Sequence, residues 1–562
     1  MRRRLGACGA WIGWLLATST PAGAAVEVRA ESLADRVSAI LSSPGFEAGH
    51  WGVLVVDRRS GEVLFEREAD RLFIPAEVAQ LFPAASALET MGADSRFQTP
   101  VLRRGEVGPD GTLEGDLILV AVGDPCLGGR TSPKDGSLLY RDIDHTRAGS
   151  TQGATLVEAD PLAGLDHLAR EVKAAGISAV SGEVIIDDRL FEPTPVEGAV
   201  PSRIVPIAVN DNLIDVVVTP APEPGKPAGV RTVPPSLSYT LEDLVETVAE
   251  GEPPRVEVRR EGPRRFSVRG QIPIGHPPVV RAFEVDQPAD FARALFIEQL
   301  RARGVRVDAS PLGENPHGRL PTSAEVAQLP KVAQYTSPPL REYIRVMLKV
   351  GHHLHAGSLP LLLAASNGGR TLGEGLRLQG AIHEQLSLPA LGISLADGAG
   401  THRADLLSPR AVVALLRAMD GRPGGLAFEA ALPVIGREGT ALDVVAADSP
   451  ARGHARSPSG TSWAVDATTG RPVLLCKSLA GYMETASGRD LAFAFFLNLV
   501  PSSAETSDRA VTGLSAARLL GALCEVFYLD QSPYSPSASI APRAPSRGTP
   551  TLSQLGLNEM DE

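Results

Sequence analysis

The chain is short of lysine, of cysteine and of positive charge. Only six lysines occur in 562 residues, at 134, 173, 226, 331, 349 and 477, and the residues three places before them are Thr131, Arg170, Glu223, Gln328, Val346 and Leu474. A Ser-x-x-Lys pair, the spacing that stacks a hydroxyl and an amine on one helix face, therefore occurs nowhere; Thr131-Ser-Pro-Lys134 is the nearest variant. The formal charge of −12 argues against nucleic acid and anionic membrane surfaces as main partners, because both are recognised through clustered positive charge. Of the four cysteines, Cys8 precedes an expected cleavage site. Cys126, Cys476 and Cys524 are then an odd set, so a full disulfide framework is excluded and at most one pair, left open, can form. No C-x-x-C, no Cys/His cluster with zinc spacing and no fixed-period repeat is present.

What is present describes a folded, exported chain of more than one unit. The length exceeds the roughly 250 to 300 residues of a single core, and 43% hydrophobic with 21% charged residues is ordinary for a globular protein. Arg2, Arg3 and Arg4, an apolar stretch around Ala10 to Ala17 and the small residues Ala22-Gly23-Ala24 have the form of a secretory signal. The apolar stretch, broken by Gly13 and Thr18-Ser19-Thr20, is too short to span a bilayer, which takes about 20 apolar residues. The expectation is a signal over 1–24, export to the periplasm or cell envelope, and no transmembrane anchor after cleavage.

Trp51 to Asp57 and Gly61 to Phe65 read as a strand pair, followed by a helix from about Ala76 to Met91. Lys477 to Met483 and Leu491 to Leu497 repeat the pairing around Gly488, with a helix from about Ser507 to Phe527 closing the unit. Strands from both ends can join one sheet. Between them, 98–320 is rich in strands and turns, with Gly182 to Asp188 and Asn212 to Thr219 as the best strands. Amphipathic helices fall near Pro161 to Ala175 and Pro288 to Arg303, and the Pro/Gly-rich Pro220 to Pro235 reads as a linker. The Ser/Pro-rich 531–562 is expected to be a disordered tail.

Three stretches carry a resemblance: Phe73-Ile-Pro-Ala-Glu-Val-Ala-Gln-Leu-Phe82 running to Gly92; Tyr335-Thr-Ser-Pro-Pro-Leu340 running to Val350-Gly-His-His-Leu-His-Ala356; and Ser457-Pro-Ser-Gly-Thr461 before Leu479-Ala-Gly-Tyr482. Gly123-Asp-Pro125, Asp211-Asn-Leu-Ile-Asp215, Asp397-Gly-Ala-Gly400, Leu432-Pro-Val-Ile-Gly436 and Gly439-Thr440 lie between them in matching order. Together they resemble the D-alanyl-D-alanine carboxypeptidase/endopeptidase family, low-molecular-mass penicillin-binding proteins with a large insertion. The resemblance implies a mixed α/β fold: a serine β-lactamase/transpeptidase-like domain, with an antiparallel sheet flanked by helices, split over 25–97 and 321–530. An inserted region of one or two small α+β units would fill 98–320.

It also implies S-x-x-K, S-x-N and K-T-G motifs, and none is intact. The serine position is Glu77 and its lysine position Gln80; the S-x-N serine falls at Gly351 and its asparagine at His353; the K-T-G lysine falls at Pro458. A carboxylate is a poor acyl-transfer nucleophile and an amide has no basic lone pair at neutral pH. Losing one member of such a coupled set typically costs on the order of 10⁴ to 10⁶ in turnover. Pro83 is expected to bend the nucleophile helix. What survives is Ser459, Gly460 and Thr461, able to contact the carboxylate end of a peptide, although a fixed charge on Glu77 would repel it.

The expected role is binding of a peptidoglycan stem peptide or an envelope protein, without cofactor. Retained serine-type peptidase activity and a repurposed Glu/His hydrolase are the alternatives. No metal is expected: His352, His353 and His355 could assemble a site with Glu77, but three or four ligands are needed, only His352 and His355 share a helix face, and nothing else in the sequence points to a metal.

Overall fold

The computed structural model describes residues 32–149, 153–501 and 508–530; the expected signal, Cys8 and the expected tail lie outside them. The chain's two ends build one six-stranded antiparallel sheet. His50–Asp57 pairs with Val63–Arg67 on one side and with Asp490–Pro501 on the other. Pro472–Glu484 follows, and carries both Ala455–Arg456 and Ser459–Val465. Alternate residues of a strand face opposite sides, and here both sides are covered. Leu54, Val56, Ala492, Ala494 and Phe496 join a core with the internal helices. Trp51, Val53, Val55, Phe493 and Phe495 join another with residues of the helices Leu33–Leu41 and Arg509–Tyr528.

The middle of the chain forms separate sheets around its own core. The largest is ordered Arg306–Val307, Ala179–Val180, Thr112–Val120, Arg96–Val107, Lys331–Pro339, with Val184–Asp187 also on Thr112–Val120. Its last strand, antiparallel to Arg96–Val107, lies wholly beyond residue 320 and leads directly into the helix Leu340–Val350. The helices Ala163–Ala174 and Pro288–Ala302 cover it. The stretch expected to be a linker is a hairpin arm instead: Gly229–Val233 returns along Leu213–Thr219, because Val230 and Val233 bring apolar side chains to strand positions the Pro/Gly content obscured.

The helix expected from Ala76 to Met91 is two pieces, a 3-10 turn Ala76–Gln80 and an α-helix Leu81–Thr90. Pro83 falls in the first turn of the second piece, where amides have no intrahelical acceptor and proline is tolerated. The expected bend in a helix interior is thereby corrected. Cys126, Cys476 and Cys524 are all buried and free.

Candidate functional site

The 3-10 turn Ala76–Gln80 lies against the strand Ser459–Val465, and the closeness is set by glycine. A Cβ on Gly460 would come within 2.9 Å of both Ala76 Cβ and Glu77 N, and 2.4 Å from Ser478 Oγ. Across the turn stands Gly351, the left-handed C-cap of Leu340–Val350 with φ +67°. A Cβ there would meet Arg147 and lie 3.0 Å from Glu77 Cγ. His353 begins the next helix, His353–Ser366. The three stretches separated in sequence therefore converge, and the side chain at their centre is Glu77.

Glu77 is 6% exposed and fully engaged. Thr461 N donates to Oε2 at 2.8 Å and Arg147 Nη2 to Oε1 at 3.0 Å, while His353 Nε2 lies 3.9 Å away. Burial pushes the carboxyl up, but His353, Arg147 and the Thr461 amide outweigh it and hold it at about 2. A strand-edge amide aimed into a cleft is the kind of donor that binds the oxyanion in acyl transfer. Here that donor is taken by the protein's own carboxylate.

Gln80 is 1% exposed, and its Nε2 donates to Ala399 O at 3.0 Å, fastening the turn to the 397–402 loop. Asp397 shapes that loop by accepting from the amides of Ala399, Gly400, Thr401 and His402. Pro458 is buried and offers no cation. Ser459 N donates to Thr440 Oγ1 at 3.1 Å.

Lys477 supplies the cation that sequence reasoning missed. It lies opposite Thr461 in the strand register, and its Nζ donates to Thr461 Oγ1 at 2.7 Å. Burial lowers its pKa, only partly opposed by the Glu77 charge, to about 8. One of six lysines, set in the middle of an otherwise uncharged strand interior, was the available signal. Arg147 carried none, because it arrives from the inserted region. The cleft in front, about 730 Å³ of open space, is lined in part by Glu77, Glu197, His353, Arg403, Thr461 and Trp463. Arg403 lines the cleft with the carboxylates Glu77 and Glu197, while Arg147 pairs with Glu77 and Lys477 is buried behind Thr461, so the Glu77 charge is offset by its own neighbours.

Residues 33–518 match the D-Ala-D-Ala carboxypeptidase 3 (S13) family. The chain belongs to that family. It is 30% identical over 509 residues to a D-alanyl-D-alanine carboxypeptidase of Actinomadura sp., covering 86% of this chain and 84% of that protein. It is 22% identical to the D-alanyl-D-alanine carboxypeptidase DacB of Haemophilus influenzae over 80% of this chain and 86% of the relative. The crystal structure of penicillin binding protein 4 (dacB) from Haemophilus influenzae shares the fold, with a TM-score of 0.62 at 19% identity over 88% of this chain and 99% of that one. The S13-family scaffold thus surrounds a centre occupied by a buried, hydrogen-bonded carboxylate, that of Glu77.

Proposed function

We propose that this S13-family member is an exported cell-envelope protein that does not acylate, and that it binds the carboxylate end of a peptidoglycan stem peptide without cleaving it. The observation that carries the proposal is the Glu77 carboxylate seated on the Thr461 amide at 2.8 Å. It takes the place of the attacking hydroxyl and also occupies a donor that would stabilise the oxyanion. The general base is missing as well, since Gln80 is committed to Ala399 O. A hydrolase using Glu77 as base is disfavoured, because a carboxyl held at about 2 is a weak base at neutral pH. Export rests on the arginine-led, apolar, small-residue segment at the N-terminus.

Arg403 in the cleft lining, with the Lys477 charge buried behind Thr461, supports recognition of a peptide carboxylate. Lys477 is protonated below about pH 8, so affinity for an anionic ligand is expected to fall as pH rises through that value. Calorimetric titration with an acetylated Lys-D-Ala-D-Ala peptide tests this. The expected result is binding at pH 7 with no release of D-alanine, weakened about tenfold or more in Lys477→Met, the scale of one charged hydrogen bond. Release of D-alanine, or binding indifferent to Lys477 and to pH, contradicts the proposal.

A further inference from the structure

Behind the cleft the inserted region meets the helix His353–Ser366 through a fully buried polar cluster that the proposed binding role does not use. Asp211 contributes a carboxylate whose two oxygens are treated unequally. Oδ2 accepts from Arg130 Nη2 at 2.7 Å and contacts His145 Nε2 at 2.8 Å; His145 in turn contacts Asp215 Oδ1 at 2.8 Å. Oδ1 has no hydrogen-bond partner. It faces His352 Nε2 at 3.5 Å and His355 Nε2 at 3.6 Å.

His355 is 1% exposed, and neither of its ring nitrogens has a hydrogen-bond partner. Its ring stacks on that of His352 with centroids 3.9 Å apart, so both imidazoles present Nε2 to the same carboxylate oxygen. Buried polar atoms left without partners are rare and costly. A carboxylate oxygen and an imidazole nitrogen from one small group, both unpartnered, point to something that binds them together.

The geometry fits a metal ion. Ligands ~2.0 to 2.1 Å from a tetrahedral zinc lie about 3.3 to 3.4 Å apart, close to the two distances measured from Asp211 Oδ1. Two imidazoles and one carboxylate form a recurrent zinc set with a fourth position for water. The contacts of Arg130 and His145 to Oδ2 are the outer hydrogen bonds that orient a ligating carboxylate. The ion would displace two contacts: that between Arg130 Nη2 and His352 Nε2 at 3.1 Å, and, because Nδ1 would then carry the proton, the 3.4 Å bond from His355 N to His352 Nδ1; Arg130 keeps its paired bonds to Asp144 at 2.8 and 3.0 Å.

We propose that Asp211, His352 and His355 bind a zinc-class divalent cation that clasps the inserted region to the helix carrying His353. Sequence spacing placed the two histidines on one helix face without pointing to a metal; the third ligand comes from 141 positions earlier in the chain than His352 (352 − 211) and is brought in by the fold.

The test is metal titration of the purified protein after chelator treatment and desalting, with Zn²⁺ followed by calorimetry and native mass, and Co²⁺ followed by visible absorption. One equivalent per chain and the intense bands of tetrahedral cobalt are expected. His355→Phe, which removes a ring that makes no hydrogen bond, should weaken binding at least ~100-fold, since outer-shell losses alone reach ~10 to 100-fold. His353→Ala should bind like the natural protein. Less than half an equivalent in the natural protein, or unchanged affinity in His355→Phe, overturns the proposal. If His355→Phe fails to fold, the cobalt spectrum of the natural protein decides: tetrahedral bands support the site, and their absence overturns it.

Discussion

The Glu77 carboxylate is buried yet remains charged because three neighbours favour the anion. Its folded pKa of about 2 lies below the ordinary 4.5. A group with a depressed folded pKa contributes stability that is present above its unfolded value and lost as pH falls through the folded one. The difference corresponds to about 3 kcal/mol. Urea denaturation between pH 5 and pH 2 should show the natural protein losing about that much relative to Glu77→Gln. A stability difference between the two proteins that does not change over this range would contradict the ionised, three-partner carboxylate. Lys477 is the complementary residue: it holds Thr461 and supplies the nearby positive charge that a proline at 458 cannot.

At the scale of elements, the decisive contact is between a 3-10 turn and a strand edge. Ala76–Gln80 can approach Ser459–Val465 because residue 460 has no side chain. Gly460→Ala should therefore cost about 1 to 3 kcal/mol by overpacking, read as a lowered denaturation midpoint. Restoration of full stability by no more than a side-chain shift would show the approach to be loose. Strand pairs close in sequence, such as His50–Asp57 with Val63–Arg67, were legible because alternation and a short turn specify them locally. Pro83 was misjudged because the break between the 3-10 turn and the α-helix, which moves it into a first turn, leaves no mark in the apolar pattern. The strand Gly229–Val233 was hidden by the prolines around it.

For the whole molecule, the order of motifs along the chain was enough to place Glu77, Gly351, His353 and Thr461 around one cleft, since a shared order of many short segments implies a shared path. It could not show what the inserted region adds. Arg147 reaches Glu77 from that region, and Asp211 reaches His352 and His355 from it. Charges delivered across such sequence separations have no local pattern, and that of Arg147 offsets the Glu77 carboxylate. The inserted region is thus part of the site's electrostatics as well as a neighbour to it.

The central claim is that the cleft keeps the family scaffold but has lost acylation. Intact mass after incubation with a fluorescent penicillin tests it most directly, comparing the natural protein with one carrying Glu77→Ser, Gln80→Lys, Gly351→Ser, His353→Asn and Pro458→Lys together. The account predicts no adduct on the natural protein and one adduct on the restored protein. A covalent adduct on the natural protein would contradict it, because a nucleophile other than Glu77 would then be at work in this cleft.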